Sequence, residues 1–121
     1  MDNSAVLGGR RLLVVEDDYL VAMDLAEELA GHGAEVLGPA GSVEEALALV
    51  AAESRIDAAV LDINLRNEKV YPVAEALRAR NVPFVFTTGY DAWVVPETFA
   101  AVRRLEKPVH IRALMQSLSD K

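Results

Sequence analysis

The stretch Arg11-Leu12-Leu13-Val14-Val15-Glu16-Asp17-Asp18 sets an apolar run directly before three carboxylates. A strand with one wet face alternates apolar and polar residues. This run barely alternates, so it reads as a strand covered on both faces, as in a parallel sheet. Working outward, four more runs read as strands: Ala34 to Gly38, Ala58 to Asp62, Val82 to Thr87, and the short Arg104 to Glu106. Amphipathic stretches separate them. A helix is expected from about Asp18 to Ala30, with apolar positions at Leu20, Val21, Met23, Leu25 and Leu29, and with Gly31 and Gly33 at its end. Ser42-Val43-Glu44-Glu45 is a capping box opening a second helix, which shows Val43, Ala46, Leu47 and Val50 on one face and stops near Glu53. Asn64 to Lys69 reads as a polar loop. A third helix runs from about Tyr71 to Arg80, with Pro72 in its first turn and Val73, Ala76 and Leu77 as its core stripe. Between residues 89 and 102, Pro96 and the β-branched and aromatic residues leave only about Glu97 to Ala101 as a short helix. Val109, Ile111, Leu114, Met115 and Leu118 mark a last helix.

Repeated strand-helix units imply a five-stranded parallel sheet with helices on both faces, because each parallel connection needs a crossover. The flavodoxin-like order 2-1-3-4-5 fits, with the fourth helix short or mobile. The 121 residues hold one domain, over residues 10–121, after a flexible lead-in at 1–9 that carries Ser4, Gly8 and Gly9. With no cysteine, a disulfide scaffold is excluded. A formal charge of −7 argues against direct binding to nucleic acid or to an anionic membrane. No apolar run approaches the roughly 20 residues of a membrane span, and Met1 to Arg10 lacks the pattern of a secretory leader, so a cytoplasmic protein is expected.

In open parallel sheets, reactive groups collect beyond the carboxyl ends of the strands. Glu16, Asp17 and Asp18 follow the first strand, Asp62 and Asn64 the third, Thr87 and Thr88 the fourth, and Lys107 the fifth. Clustered carboxylates repel unless a cation sits among them, and an all-oxygen site with open positions suits Mg²⁺. A carboxylate there can attack phosphorus, so Asp62 is the expected nucleophile, with Lys107 and the Thr88 hydroxyl around the phosphoryl oxygens. Each residue also has a plainer reading: a helix cap for Glu16, Asp17 and Asp18, a turn for Asp62 or Thr88, a solvated charge for Lys107. Their common placement at four strand ends favours chemistry. Gly31-His32-Gly33 is no dinucleotide loop, because it follows a helix; His32 and His110 read as surface residues. Trp93, Val94, Val95 and Phe99 read as core rather than as a partner surface.

The segments LLVVEDD, VLDINL, FVFTTGY and LEKPV, in that order, resemble the bacterial response regulator receiver domain over about residues 10 to 120. That resemblance implies Glu16 and Asp17 as the acidic pair, Asp62 as phosphoacceptor, Asn64 as a metal ligand through its backbone carbonyl, Thr88 as switch hydroxyl and Lys107 as phosphate partner. It implies a cis bond at Lys107-Pro108. It further implies a sensor histidine kinase or histidine phosphotransfer protein as donor, and a downstream protein met on the face of helix 4, strand 5 and helix 5. DINLRNEKVYPVAEAL with PFVFTTGYD resembles the FAT GUY subfamily, with Thr87 where Ala is usual. Two departures stand out. Arg66 to Tyr71 replaces a loop that usually holds Pro and Gly, and Arg104 stands where an aromatic residue usually couples to the switch hydroxyl; Tyr90 is the substitute candidate. The expected protein is a stand-alone receiver that is not an enzyme beyond gaining and losing a phosphoryl group at Asp62. Its alternatives are a pseudo-receiver adaptor that is never phosphorylated, or a phosphate sink. An Asp-nucleophile phosphatase fits poorly because Asp62-Ile63-Asn64 lacks a second Asp, and an FMN-binding flavodoxin fits poorly because no phosphate loop follows the first strand.

Overall fold

A computed structural model of the chain describes residues 7–89 and 95–119. In chain order the elements are β1 (Arg11–Val15), α1 (Tyr19–Gly31), β2 (Glu35–Ala40), α2 (Val43–Ala52), β3 (Ala58–Asp62), β4 (Asn64–Leu65), β5 (Glu68–Lys69), α3 (Tyr71–Ala79), β6 (Phe84–Thr88), a 3-10 helix (Glu97–Phe99), β7 (Arg104–Glu106) and α4 (Ile111–Ser119). The main sheet is parallel with order β2-β1-β3-β6-β7. Setting aside the small β4-β5 hairpin, this is the expected 2-1-3-4-5 arrangement. The register sets Val15 beside Leu61, Asp62 beside Thr87 and Thr88 beside Glu106, which aligns the carboxyl ends of four strands along one edge.

β1 shows why its sequence does not alternate. Leu12 and Val14 pack on one face with Leu29, Val60, Val85, Leu114 and Leu118, under α1 and α4. Leu13 and Val15 pack on the other with Val50, Leu61, Val73, Leu77, Phe86 and Phe99, under α2, α3 and the 3-10 helix. Each such side chain contributes roughly 1.5–3 kcal/mol on burial. In α2 the Ser42 half of the capping box forms as expected, its Oγ accepting from the Glu45 N–H at 3.1 Å, while Glu45 Oε1 reaches one residue beyond the cap and accepts from the Gly41 N–H at 2.8 Å. Gly33, at φ +98°, turns the chain out of α1 in the left-handed region that suits glycine.

The structure corrects several expectations. Leu7 is buried, with its N–H donating to His32 O at 2.7 Å, so the fold begins at least three residues before Arg10; residues 1–6 lie outside the described residues. β2 continues to Ala40 through a cis Gly38-Pro39 bond. Asn64 to Lys69 is no open loop: Asn64 pairs with Lys69 and Leu65 with Glu68, and Asn67 takes the tight turn at φ +62°, a conformation Asn tolerates well. On α1 the buried stripe runs through Ala22, Leu25, Ala26 and Leu29, the strict helical spacing, and leaves Leu20, Val21 and Met23 exposed. The short helix near residue 97 is a single 3-10 turn, with Phe99 buried as core.

At the other end of β1, Asp57 accepts from the Arg11 N–H at 2.8 Å and from Arg55 Nη2 at 3.0 Å. The Arg55 contact first, then the Arg11 N–H, holds this carboxyl below the usual carboxylate range. A depressed folded value means the stabilisation is present above the unfolded value of about 4 and is lost as pH falls through the folded one. Asp57→Ala is therefore expected to cost about 1 kcal/mol at neutral pH in urea unfolding. The gap to wild type should narrow as the pH is taken below 4, approximately the unfolded carboxylate value; a gap independent of pH would contradict this role.

Candidate functional site

β1 runs directly into Glu16 and β3 ends on Asp62, so both carboxylates sit buried at the carboxyl ends of adjacent strands. The Glu16 N–H is fixed to Ala40 O at 2.9 Å and the Ile63 N–H to Thr87 O at 3.1 Å, so the residues flanking the strand ends are anchored by the backbone. Asp18 caps α1, accepting from the Leu20 N–H at 3.1 Å and the Val21 N–H at 3.2 Å, which separates its task from that of its two neighbours. Glu16, Asp17 and Asp62 offer carboxylate oxygens that all lie within 4.8 Å of one another. Glu16 is 5% exposed and Asp62 3%. At such separations, each pair of charges repels by on the order of 3–4 kcal/mol with an effective dielectric near 20.

Lys107 supplies the first compensation. Its Nζ is 2.8 Å from Glu16 Oε1 and 2.9 Å from Asp62 Oδ2. Glu16 Oε2 accepts from the Asp18 N–H at 3.0 Å, and Asp62 Oδ1 from the Asn64 N–H at 3.2 Å. Burial raises Glu16 above the ordinary carboxylate range and the charge of Asp62 adds to the effect, while the bonds from Lys107 and the Asp18 N–H oppose it without cancelling it. Burial would lower Lys107, yet the bonds and charges of Glu16 and Asp62 outweigh it, and the ammonium is held charged above its usual range. With Asp18 and Arg66 also on the wall, two cations face four carboxylates and the cavity stays short of positive charge. This hard, all-oxygen donor set fits a small divalent cation such as Mg²⁺. The cavity measures about 550 Å³ and is lined by Glu16, Asp17, Asp18, Tyr19, Asp62, Asn64, Arg66, Gly89 and Lys107.

Most residues expected at the site are therefore together. Thr88 is buried at the end of β6, and its carbonyl accepts from the Lys107 N–H at 2.9 Å. Thr87 is buried too, directly beside Asp62 in the sheet. Asn64 lines the cavity, and Lys107-Pro108 is cis. Arg104 lies on β7 with its side chain exposed, opposite Phe86, and its charge reaches Tyr71. Tyr90, the proposed substitute for the missing aromatic, lies outside the described residues, as do Trp93 and Val94. Sequence reasoning passed over three others. Tyr71 was only a helix start, yet its ring stacks on Phe99 at 5.6 Å and meets Phe86 edge-on at 5.9 Å. Arg66 and Tyr19 line the cavity; their places next to the loop after Asp62 and the turn after Asp17 were the available signal. His32 and His110 stay away from the site, and among the described residues Glu16, Asp17 and Asp62 are the one metal-competent cluster.

Fold and site together define a receiver domain of two-component signalling: the chain belongs to the family described as the response regulator receiver domain, whose pattern matches residues 12–119. Among particular proteins, it is 32% identical over 113 residues to the transcriptional regulatory protein PdtaR of Mycobacterium tuberculosis, covering 90% of this chain and 55% of that protein. It is also 32% identical over 97 residues to the phyllosphere-induced regulator PhyR of Methylorubrum extorquens, covering 78% of this chain and 34% of PhyR. The chain thus spans about half the length, or less, of these relatives. The solution structure of SdrG from Sphingomonas melonis Fr1 superposes with a TM-score of 0.76 at 39% identity, covering 92% of this chain and 94% of that one. Receiver domains interact with histidine kinases or phosphotransfer proteins and generally bind Mg²⁺. Among the described residues, no helix is long and apolar enough to cross a membrane.

Proposed function

We propose that Asp62 accepts a phosphoryl group from a phosphohistidine on a sensor histidine kinase or histidine phosphotransfer protein in the cytoplasm. The observation that carries this reading is the Lys107 ammonium within 3 Å of both Glu16 and Asp62, in a cavity that Asp17 completes. An Asp62 oxygen forms the new O–P bond while the histidine N–P bond breaks, and the imidazole leaves with its electron pair. Lys107 is placed to meet a phosphoryl oxygen, and Thr88, at the end of β6, is the candidate neutral donor for another. Mg²⁺ held by Glu16, Asp17, Asp62 and the Asn64 carbonyl would neutralise the remaining phosphoryl charge. Beyond gaining and hydrolysing this group, the chain performs no catalysis in this reading. The resemblance of DINLRNEKVYPVAEAL and PFVFTTGYD to the FAT GUY pattern supports membership of that subfamily, with output to a protein partner through the face of the 3-10 helix, β7 and α4.

The donor's surface is α1. Tyr19 and Leu20 are 74% and 73% exposed, Val21 and Met23 are also exposed, and Tyr19 lines the cavity at the start of this helix. Large apolar side chains grouped beside a reactive cavity fit a protein donor better than a small one. Leu20→Asp is expected to slow transfer from a phosphorylated kinase or phosphotransfer protein by roughly tenfold, the loss of about one buried apolar contact. Labelling by acetyl phosphate should be unchanged. Equal slowing with both donors would contradict α1 as the docking face. A wild type that accepts label from neither donor would instead support the pseudo-receiver.

A further inference from the structure

We propose that Lys69 sets the lifetime of the phosphoryl group on Asp62 by holding the side-chain carbonyl of Asn64; this rests on the phosphoacceptor reading of Asp62. Asn64 stands two residues beyond Asp62, donates its N–H to Asp62 Oδ1 at 3.2 Å and lines the same cavity. In the β4-β5 pair it lies directly opposite Lys69, whose Nζ donates to Asn64 Oδ1. An ammonium has donors and no acceptor, so the oxygen end of the amide must face Lys69.

The arm that carries Lys69 is well fixed. Leu65 and Val70 are buried on either side of the turn, and the Val70 N–H donates to Ile63 O at 3.0 Å. Glu68 Oε2 accepts from the Val43 N–H at 3.0 Å, which ties the hairpin to the first turn of α2, where a carboxylate is favoured. Lys69 is therefore delivered to Asn64 by a braced hairpin, in the segment where a plain loop was expected.

The consequence concerns hydrolysis. Water attacks phosphorus, the O–P bond to Asp62 breaks, and the products are the Asp62 carboxylate and dihydrogen phosphate. The attacking water needs an acceptor that aligns its O–H, the part a side-chain amide carbonyl plays in other phosphoryl-transfer sites. Asn64 owns such a carbonyl at the cavity wall, and its bond from Lys69 turns that oxygen toward the hairpin and occupies one of its two lone pairs, which competes with an attacking water. The aspartyl phosphate is long-lived in consequence, and Lys69 is a positioning residue that acts through Asn64.

The test follows loss of the phosphoryl group after acetyl phosphate and Mg²⁺ are removed, by intact mass against time. Lys69→Met is expected to shorten the lifetime by roughly three- to tenfold, the value of one hydrogen bond gained by the attacking water. Lys69→Arg, which keeps a donor-only cation, should restore it. In an Asn64→Ala background, Lys69→Met should make no further difference. Thermal melting of each variant checks the fold, since a purely structural role would move melting without this dependence on Asn64. Equal lifetimes in wild type and Lys69→Met overturn the proposal, as does shortening that persists without the Asn64 side chain. A wild type that takes up no phosphoryl group overturns both this inference and the phosphoacceptor reading.

Discussion

Asp62→Asn is expected to take up no phosphoryl group from acetyl phosphate and to lose at least about tenfold in affinity for Mg²⁺. Both outcomes come from one atom. The amide keeps the size and shape of the carboxylate, so β3 keeps its backbone pairing, but its single oxygen can accept from Lys107 or from the Asn64 N–H and no longer from both. It lacks the anionic oxygen that would form the O–P bond, and it removes one of the three charged donors, which lie within 4.8 Å of one another. Phosphate-affinity gel retardation reads the first outcome and titration calorimetry the second. Retardation of Asp62→Asn equal to wild type would place the phosphoacceptor elsewhere.

Phe99→Ala should cost about 3–5 kcal/mol, the usual range for truncating a fully buried aromatic residue. Phe99 is 1% exposed although it stands in one turn of 3-10 helix. Its ring stacks on Tyr71 at 5.6 Å with 13° between the planes, meets Phe86 edge-on at 5.8 Å and lies 6.2 Å from Phe84. Arg78 covers it, with the guanidinium 4.6 Å from the ring centroid, and donates to Thr98 O at 2.7 Å. These contacts hold the turn onto α3 and β6. Against a typical domain stability of about 5–15 kcal/mol, the loss is a large fraction. Urea unfolding at neutral pH measures it. A cost below about 1 kcal/mol, the range of ordinary surface changes, would mean that the aromatic cluster does not bear on stability.

Much of this fold was legible in the sequence because the main strands are buried on both faces and end on chemistry-bearing residues. Arg11–Val15 and Ala58–Asp62 show the pattern of doubly covered strands, and the register of a parallel sheet then brings Glu16, Asp62, Thr88 and Lys107 to one edge. What stayed hidden depends on tertiary contacts or on a single backbone angle. The hairpin at Asn64 to Lys69 rests on Asn67 in the left-handed region and on buried Leu65 and Val70, and its two-residue strands are too short to show a period. Too many residues of α1 are apolar for composition to choose a face; the packing against the sheet selects Ala22 and Leu29 and leaves Leu20 in solvent. Tyr71 gains its place beside Phe99 from contacts between α3 and a segment over twenty residues later, which no local pattern reports. Arg104, noticed only as an unusual residue, sits exposed on the edge strand β7.

The central claim is that the cavity of Glu16, Asp17, Asp62 and Lys107 makes an aspartyl phosphate when Mg²⁺ is present. Intact-mass spectrometry of the wild-type chain after incubation with acetyl phosphate, once with Mg²⁺ and once with a chelator, tests it most directly. The account predicts a single added HPO₃ with Mg²⁺ and none with the chelator. An unmodified chain in both arms, or equal modification in both, would contradict it.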